Sequence, residues 1–208
     1  MISMNPHDLT IKTYDDGASQ FDQHFFEYFG KGPRISDIDQ GLKLAGVEVA
    51  KAKVVEIGCG TGRDAEAMVK RADRYEGFDP SKGLIEVAKN KVPKASFVVA
   101  DALSYKYPKN VDVVFAFASL LHISKDDLKK VFPKVQRSLR KGGIFYISLK
   151  QAEKYTGTLK TDQFGDRMFY YYSPELIQQI AGKSFITVFL NRQKIGKTAW
   201  FTIALKKI

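Results

Sequence analysis

Three glycines at alternate positions, Gly58, Gly60 and Gly62, have the clearest chemical meaning in this chain. They follow a short apolar run that contains one acid, Glu56, and they precede a helical pattern. A strand that opens into a glycine turn and then a helix presents backbone N–H groups to a nucleotide-like ligand. The spacing excludes the dinucleotide pattern G-x-G-x-x-G, because its third glycine would stand where the chain has Arg63.

Polar residues also follow the other predicted strands, at the point where each strand ends. Asp79 follows the second strand and Asp101 the third, while Ser119 and His122 follow the fourth and Lys150 the fifth. In an open α/β sheet the ligand lies beyond the carboxyl ends of the strands, where the strand order switches. The sequence therefore predicts one ligand site assembled from several turns.

The elements that position these residues form an alternating pattern. Strands followed by helices of about ten residues imply βαβ units and a parallel sheet with helices on both faces. Strands are predicted at 53–57, 74–78, 95–99, 111–117 and 143–149, and helices at about 14–29, 35–44, 63–71, 81–90 and 125–140.

The end of the chain departs from this alternation. A helix is predicted to begin at Ser173, with Pro174 at its first position. Two β-rich runs follow, at 184–191 and 198–205, and only the short polar segment 192–197 joins them. Such a short connection allows only an antiparallel hairpin.

The pattern E-x-G-x-G-x-G at 56–62 resembles motif I of the class I S-adenosylmethionine-dependent methyltransferases. Segments 118–123 and 139–150 resemble the group's motifs after the fourth strand and into the fifth, and 14–18 resembles its N-terminal tyrosine element. Segment 165–175 looks like the arm before the last helix in small enzymes of unassigned substrate. The resemblance covers about residues 10 to 206, and is to small-molecule methyltransferases of the type 11/12 kind.

This resemblance implies a Rossmann-like, doubly wound α/β fold with a seven-stranded sheet. The sheet would be parallel except for an antiparallel terminal hairpin, with the strand order 3-2-1-4-5-7-6. Residues 1–208 would form a single methyltransferase domain, with a helical cap at 1–46 and an arm near the acceptor site at 150–173.

The resemblance also implies that S-adenosylmethionine is the cofactor and S-adenosylhomocysteine the product. Asp79 would accept from the ribose hydroxyls and Asp101 from the adenine amino group, although a lone Asp after a strand also serves as a helix cap. Glu56 would anchor the glycine loop near the sulfonium, and Tyr14 would close over the methionine part or simply start a helix. The predicted cofactor-binding residues are Tyr14, Glu56, Gly58, Cys59, Gly60, Thr61, Gly62, Asp79, Pro80, Asp101, Ala102, Leu103, Phe117, Ala118 and His122.

Catalytic and acceptor residues are harder to infer, because methyl transfer has no obligatory catalytic signature. His122 suits a general base, but a helix cap or packing near the methionine carboxylate is the favoured interpretation. Lys150 and Arg167 would recognise an anionic acceptor, and Tyr170 would line its pocket, although strand packing explains the aromatic run equally well. Cys59 is interpreted as a small hydrophobic residue in the turn.

Composition bounds the remaining alternatives. The chain has 208 residues, 44% hydrophobic, which suits one well-packed domain. The single cysteine excludes a disulfide framework, and we expect no metal site. Because the chain shows no signal-peptide pattern and no long apolar run, we expect a cytoplasmic protein without a membrane-spanning segment. The net charge of +10 is scattered, and its densest set, at 129–141, fits the solvated face of a helix.

The sequence thus favours an enzyme that methylates O, N or S of a small-molecule acceptor by in-line displacement. An RNA methyltransferase is the first alternative, but Phe117-Ala-Ser-Leu stands where amino-directed nucleic-acid enzymes carry an Asn/Asp-Pro-Pro-aromatic motif. The second alternative is a cofactor-binding protein without catalysis. The predicted oligomeric state is a monomer or a homodimer.

Overall fold

The computed structural model describes residues 4–28 and 32–208, without the side chains of 24–28. The helices described are α1 (Pro6–Asp16), α2 (Ala18–Tyr28), α3 (Ile35–Ala45), α4 (Ala65–Val69), α5 (Lys82–Lys91), α6 (Lys125–Ser138) and α7 (Pro174–Ala181). The strands are β1 (Ala52–Ile57), β2 (Ala72–Asp79), β3 (Ser96–Val99), β4 (Val111–Phe117), β5 (Leu139–Lys150), β6 (Thr156–Asp162), β7 (Gly165–Tyr171), β8 (Phe185–Ile195) and β9 (Thr198–Lys207).

The main sheet has seven strands in the order β3-β2-β1-β4-β5-β9-β8. Strands β1 to β5 are parallel, β9 runs antiparallel to β5, and β8 pairs antiparallel with β9. Every residue of β4 is buried, as expected for a central strand covered on both faces. This order confirms the predicted 3-2-1-4-5-7-6 arrangement and the antiparallel terminal hairpin.

A second, two-stranded sheet lies in the segment predicted only as an arm. Strands β6 and β7 pair antiparallel, from Thr156 opposite Tyr171 to Asp162 opposite Gly165. All seven residues of β6 are exposed. Because neither face of the strand is buried, its sequence shows no alternation of apolar and polar residues. The periodicity that identifies strands was therefore missing.

The N-terminal helices differ from the prediction of one helix at about 14–29. The side chain of Asn5 accepts hydrogen bonds from the His7 and Asp8 N–H groups and caps α1 eight residues earlier than predicted. Gly17 ends α1, and α2 begins directly after it. Phe21, one of the phenylalanines at helical spacing in this segment, is buried, whereas the side chains of 25 and 26, and residue 29, lie outside the described residues.

The terminal hairpin is longer than predicted. Its strands extend to Ile195 and begin again at Thr198, which leaves residues 196–197 as the turn instead of 192–197. The extension places Gln193 and Ile195 against the same cavity as Trp200. Backbone pairing that continues to Ile195 opposite Thr198, closed by a turn in which Gly196 has positive φ, extends the strands through this polar segment.

The core consists of two large clusters, one on each face of the main sheet. One contains β4 and β5 residues with α6 and α7, and the other contains α3, α4 and α5. Helix α6 buries Leu128, Val131 and Phe132 and exposes Lys129 and Lys130, which pair with Asp126 and Asp127 on its own surface. Among the described helices, none is long and apolar enough to cross a membrane.

Two glycines of the turn after β1 allow a matched test of packing against backbone strain. Both have positive φ, 67° at Gly58 and 55° at Gly60. A Cβ on Gly58 would lie 2.2 Å from the Ser119 Cβ, whereas one on Gly60 meets no atom within 4 Å. We expect Gly60→Ala to lower the free energy of unfolding by ~1–2 kcal/mol through strain alone, and Gly58→Ala to lower it by a further ~1–3 kcal/mol through overlap.

Urea unfolding of both variants measures this difference. Ser119→Gly removes the overlapping Cβ together with the hydroxyl that donates to Ile57. Gly58→Ala should therefore cost only the strain contribution when it is made in the Ser119→Gly background and compared with Ser119→Gly alone. If Gly58→Ala and Gly60→Ala lower the free energy of unfolding equally, the contact with Ser119 does not affect stability.

Candidate functional site

The predicted site residues surround one cavity of about 470 Å³ at the carboxyl ends of the central strands. The structure brings most of them together there, from the turns after β1, β2, β3, β4 and β5 and from α1. Those that line the cavity are Tyr14, Glu56, Gly58, Cys59, Gly60, Thr61, Asp79, Pro80, Asp101, Ala102, Phe117, Ala118, His122, Lys150 and Arg167.

Three predicted residues lie elsewhere. A Cβ on Gly62 would lie 3.2 Å from the Ala88 Cβ, so this glycine serves the packing of the turn on α5. Leu103 and Tyr170 line a second cavity beside the first. Tyr170 alternates with Arg167 and Phe169 along β7, so its side chain leaves the opposite face and stacks on Tyr155 at 5.9 Å.

The glycine turn is held by hydrogen bonds to its neighbours. The Gly58 and Cys59 N–H groups both donate to the Phe78 carbonyl, at 2.8 and 3.1 Å. The Gly60 N–H donates to Asp79 Oδ2 at 3.1 Å. These N–H groups, expected from the sequence to face a ligand, are therefore engaged within the protein, and the glycines contribute close backbone approach instead.

Asp79 is a buried carboxylate at the end of β2. Its Oδ1 accepts from the Ser81 N–H at 2.9 Å and its Oδ2 from Gly60. Burial raises the pKa of Asp79 to about 6, although both N–H donors oppose the shift. The carboxylate is thus fixed in orientation on the cavity wall and is ionised at neutral pH.

Asp101 is paired with a residue that sequence reasoning missed. His7, in the first turn of α1, places Nε2 2.8 Å from Asp101 Oδ2, and the Leu103 N–H donates to Oδ1 at 2.7 Å. The hydrogen bond to Asp101 raises the pKa of His7. Burial raises the pKa of Asp101, but the bonds from His7 and Leu103 outweigh it, so the pKa lies below its usual value.

His122 forms a chain of hydrogen bonds across the cavity wall. Its Nδ1 lies 2.6 Å from the Met168 carbonyl oxygen, which can only accept, so Nδ1 carries the proton. Nε2 then accepts from the Tyr14 hydroxyl at 2.9 Å. Removal from water lowers the pKa of His122 to about 3. An occupied acceptor atom and a low pKa argue against the general-base hypothesis.

A group of charged residues lies at the Glu56 end of the cavity. Asp64 accepts from the Arg34 N–H at 2.7 Å, from Arg34 Nη1 at 2.6 Å and from Arg63 Nη2 at 3.0 Å. Glu56 is buried and accepts from the Tyr75 hydroxyl at 2.6 Å, and burial raises its pKa well above the usual range. Sequence reasoning missed Arg34 and Asp64, whose pairing joins residues 30 positions apart.

The opposite end of the cavity is formed by β5, the β6–β7 hairpin and β9. Arg167 is buried, donates to Asp162, and lies 5.5 Å from the Tyr14 ring. Lys150 Nζ lies 3.7 Å from the centre of the Phe169 ring and 5.8 Å from that of Trp200. Phe169 and Trp200 were not predicted, because an aromatic residue in a strand is ordinarily read as core.

Cys59 fits its interpretation as a small apolar residue. Its side chain is buried in the turn, and burial raises the pKa of the thiol well above its usual value. A protonated, enclosed thiol is a poor nucleophile.

Comparison with known families identifies the segment that carries the glycine turn. Residues 54–143 match the methyltransferase domain family. A trans-aconitate 2-methyltransferase of Rhizobium etli is 27% identical over 99 residues, which cover 47% of this chain and 38% of that protein. An uncharacterised methyltransferase of Bacillus mycoides is 27% identical over 132 residues, covering 63% of this chain. The match spans 59% of the Bacillus protein's length.

A solved structure extends the likeness of fold to the whole chain. Burkholderia thailandensis 1,6-didemethyltoxoflavin-N1-methyltransferase, with bound 1,6-didemethyltoxoflavin and S-adenosylhomocysteine, superposes with a TM-score of 0.73. The superposition covers 100% of this chain and 92% of that one at 16% identity. These findings support the resemblance to the class I S-adenosylmethionine-dependent methyltransferases. In this chain the matched segment supplies β1 to β4, while the β6–β7 hairpin and the terminal strands lie outside it.

The His7–Asp101 pair predicts a pH window for the docking of α1. Because the pKa of His7 is raised in the folded protein, its stabilising contribution is complete below about pH 6.5, its unfolded-state pKa. The contribution is lost as the pH rises through the pKa of His7 in the folded protein. The lowered pKa of Asp101 means that its contribution is present above ~3.9 and is lost as pH falls through the folded value. Amide-exchange protection of α1 should therefore be highest between these limits.

The protection factors of the α1 amides between pH 3 and pH 8 measure this window. His7→Ala should flatten the profile, whereas Lys12→Ala, an exposed change on the same helix, should leave its shape unchanged. An unchanged profile in His7→Ala would mean that the pair does not hold α1 in place.

Proposed function

We propose that this protein transfers a methyl group from S-adenosylmethionine to O, N or S of a small-molecule acceptor. The observation that carries the proposal is the single cavity into which Glu56, Asp79 and Asp101 project from the ends of successive strands, with Tyr14 covering it. The family of residues 54–143 supports the same activity.

The residues present fit such a cofactor. Gly58 has no room for a Cβ beside Ser119, so the chain backbone itself forms the wall there. Asp79 and Asp101 offer carboxylate oxygens at positions suited to ribose hydroxyls and an adenine amino group. Pro80, Ala102, Phe117 and Ala118 add apolar surface between them. Polar groups placed along an otherwise apolar cleft are typical of a nucleoside site.

We assign roles to the chain's residues on this basis. Asp79 would bind the ribose, Asp101 the adenine, and Glu56, with the Arg34–Asp64 pair, the methionine end. When bound, S-adenosylmethionine supplies an electrophilic methyl group. The protein's task is to align the acceptor with that group and to exclude water. His122 acts as a positioning residue, since its Nε2 holds the Tyr14 hydroxyl over the cavity.

The acceptor site would lie at the Lys150 end, under the N-terminal helices and the β6–β7 hairpin. We propose that residues 1–46 and 150–173 act as cap and arm of a single domain, because α1 and β7 are hydrogen-bonded to each other. The Thr13 hydroxyl donates to the Asp166 carbonyl at 2.7 Å, and the Met168 N–H donates to the Thr10 hydroxyl at 2.9 Å. A covered acceptor site supports a small molecule over RNA, and the lone Cys59 supports a cytoplasmic location.

The activity itself is tested with labelled cofactor. Purified protein incubated with methyl-labelled S-adenosylmethionine and metabolite extracts should transfer label to a small molecule. Calorimetry should show binding of S-adenosylhomocysteine. Binding without transfer to any small molecule would favour a non-catalytic binding protein, and label in RNA would favour the RNA alternative.

The pKa of Asp79 predicts how cofactor affinity depends on pH. Because burial raises this pKa to about 6, the carboxylate becomes protonated as pH falls below that value and then accepts fewer hydrogen bonds. The affinity for S-adenosylhomocysteine should therefore weaken from pH 7 to pH 5. Asp79→Ala should weaken binding at pH 7.5 by ~1–3 kcal/mol and remove this pH dependence.

Calorimetric titrations at several pH values check both effects. Asp73→Ala, at an exposed position of the same strand, serves as the matched control and should bind like the unmodified protein. Unchanged affinity in Asp79→Ala would refute the ribose role.

A further inference from the structure

Positive charge is concentrated at the Lys150 end of the cavity. Lys150, Lys160 and Arg167 all line it, and Asp162 is the carboxylate that accompanies them. Lys160 and Arg167 stand directly opposite each other in the β6–β7 ladder. Like charges directly opposite on paired strands repel, so this arrangement weakens the hairpin unless an anion lies between them.

Lys150 has no counter-ion among the described side chains, which are those of residues 4–23 and 32–208. Its ammonium forms no ion pair or hydrogen bond with any of them, and it faces aromatic rings instead. Lys160 and Arg167 repel it, Asp162 attracts it weakly, and the neighbouring His122 is neutral. Burial with these two cations lowers the pKa of Lys150 to about 8. An unpaired, half-buried cation is costly and is stabilised by a bound anion.

Arg167 provides a second unsatisfied group. Its side chain is 90% buried, and its Nε is one of the described buried nitrogens without a hydrogen-bond partner. Nη2 is held by Asp162, while Nη1 makes only a long contact of 3.4 Å with the Tyr14 hydroxyl. The guanidinium is thus oriented by the protein, and Nη1, which has two N–H groups, retains donor capacity beyond its contact with Tyr14.

Apolar side chains form much of the rest of this wall, beside the polar residues Gln193, Ser148 and Thr202. Phe169 and Trp200 are both buried at 7% exposure, and Ile195 and Phe164 also line the cavity. Helix α1 and strand β7 are hydrogen-bonded to each other beside this cavity, whose volume of about 470 Å³ is in the range of small-molecule sites. A cationic patch set in an aromatic wall suits a ligand with one anionic group and an apolar part.

We propose that the methyl acceptor is a small organic anion whose carboxylate or phosphate group is bound by Lys150 and Arg167, with its apolar part against Phe169 and Trp200. This inference rests on the proposed methyltransferase function and names the class of its acceptor. Lys160 adds to the attraction from the exposed strand β6.

Trp200 makes the proposal directly measurable. It is the chain's one tryptophan and its ring lies 5.8 Å from Lys150 Nζ. The emission of Trp200 in the S-adenosylhomocysteine-loaded protein is titrated with benzoate, phenyl phosphate and the neutral analogue benzamide. We expect at least one of the two anions to bind about tenfold or more tightly than benzamide, and the preferred anion distinguishes a carboxylate from a phosphate acceptor.

Variants of Lys150 separate a specific site from general attraction. Lys150→Met should weaken anion binding about tenfold, while Lys150→Arg should retain it. Lys154→Met, at an exposed lysine outside the cavity, is the matched control and should bind like the unmodified protein. Equal binding of anions and benzamide, no saturable binding of either anion, or full binding by Lys150→Met would each overturn the proposal.

The pH dependence supplies a further readout. Because Lys150 loses its proton near pH 8, anion affinity should fall between pH 7 and pH 9. Lys150→Arg keeps its charge over this range and should abolish the fall. A fall that persists in Lys150→Arg would contradict the assignment.

Calorimetry with S-adenosylhomocysteine is run on every variant. Unchanged affinity in Lys150→Met shows that the protein is folded and that the cofactor site is separate. If S-adenosylhomocysteine does not bind even the unmodified protein, the methyltransferase function fails. If it binds but the anions do not, only the acceptor proposal fails.

Discussion

The whole site depends on the close approach of two turns, one after β1 and one after β4. The Ser119 hydroxyl donates to the Ile57 carbonyl at 2.6 Å, and a Cβ on Gly58 would lie only 2.2 Å from the Ser119 Cβ. Strands β1 and β4 are neighbours at the point where the strand order reverses. The chain connections that follow these two strands leave in opposite directions, and a crevice forms between them. In the same turn as Gly58, the Gly60 N–H donates to Asp79 and orients its carboxylate.

Electrostatics divides the cavity into two chemically different ends. Around Glu56, Asp79 and Asp101, carboxylates are paired with N–H groups, a hydroxyl or cations, so each is oriented by a partner. Around Lys150, cations outnumber carboxylates and face aromatic rings. Electrostatic interactions are stronger at both ends of the cavity than at the protein surface, because the dielectric constant inside a cleft is lower and charges there are less screened. One end thus suits a polar nucleoside and the other an anion with an apolar body.

Much of the fold was predictable because the signals are local. The buried strand β4, the helix start at Pro174 and the terminal hairpin each follow from composition and turn length. The early start of α1 and the β6–β7 hairpin were missed. Asn5 is a cap only if its side chain turns back to His7 and Asp8, and the exposed strand β6 exists because β7 pairs with it. The Asn5 cap, with Pro6 after it, is a local signal that was overlooked, whereas at β6 the pairing with β7 overrides a weak local pattern.

The sequence by itself determined most of the strands, the glycine turn and the order of the acids at the strand tips, because each depends on residues close together in the chain. The strand order of the sheet came from the resemblance to a known family. Only the tertiary structure decided which of them share a wall. It paired His7 with Asp101 across 94 residues and Tyr14 with His122 across 108. It also directed the side chain of Tyr170 away from the cavity and that of Arg167 into its wall. Such contacts depend on how α1 and the hairpin pack over the sheet, and no local spacing encodes that packing.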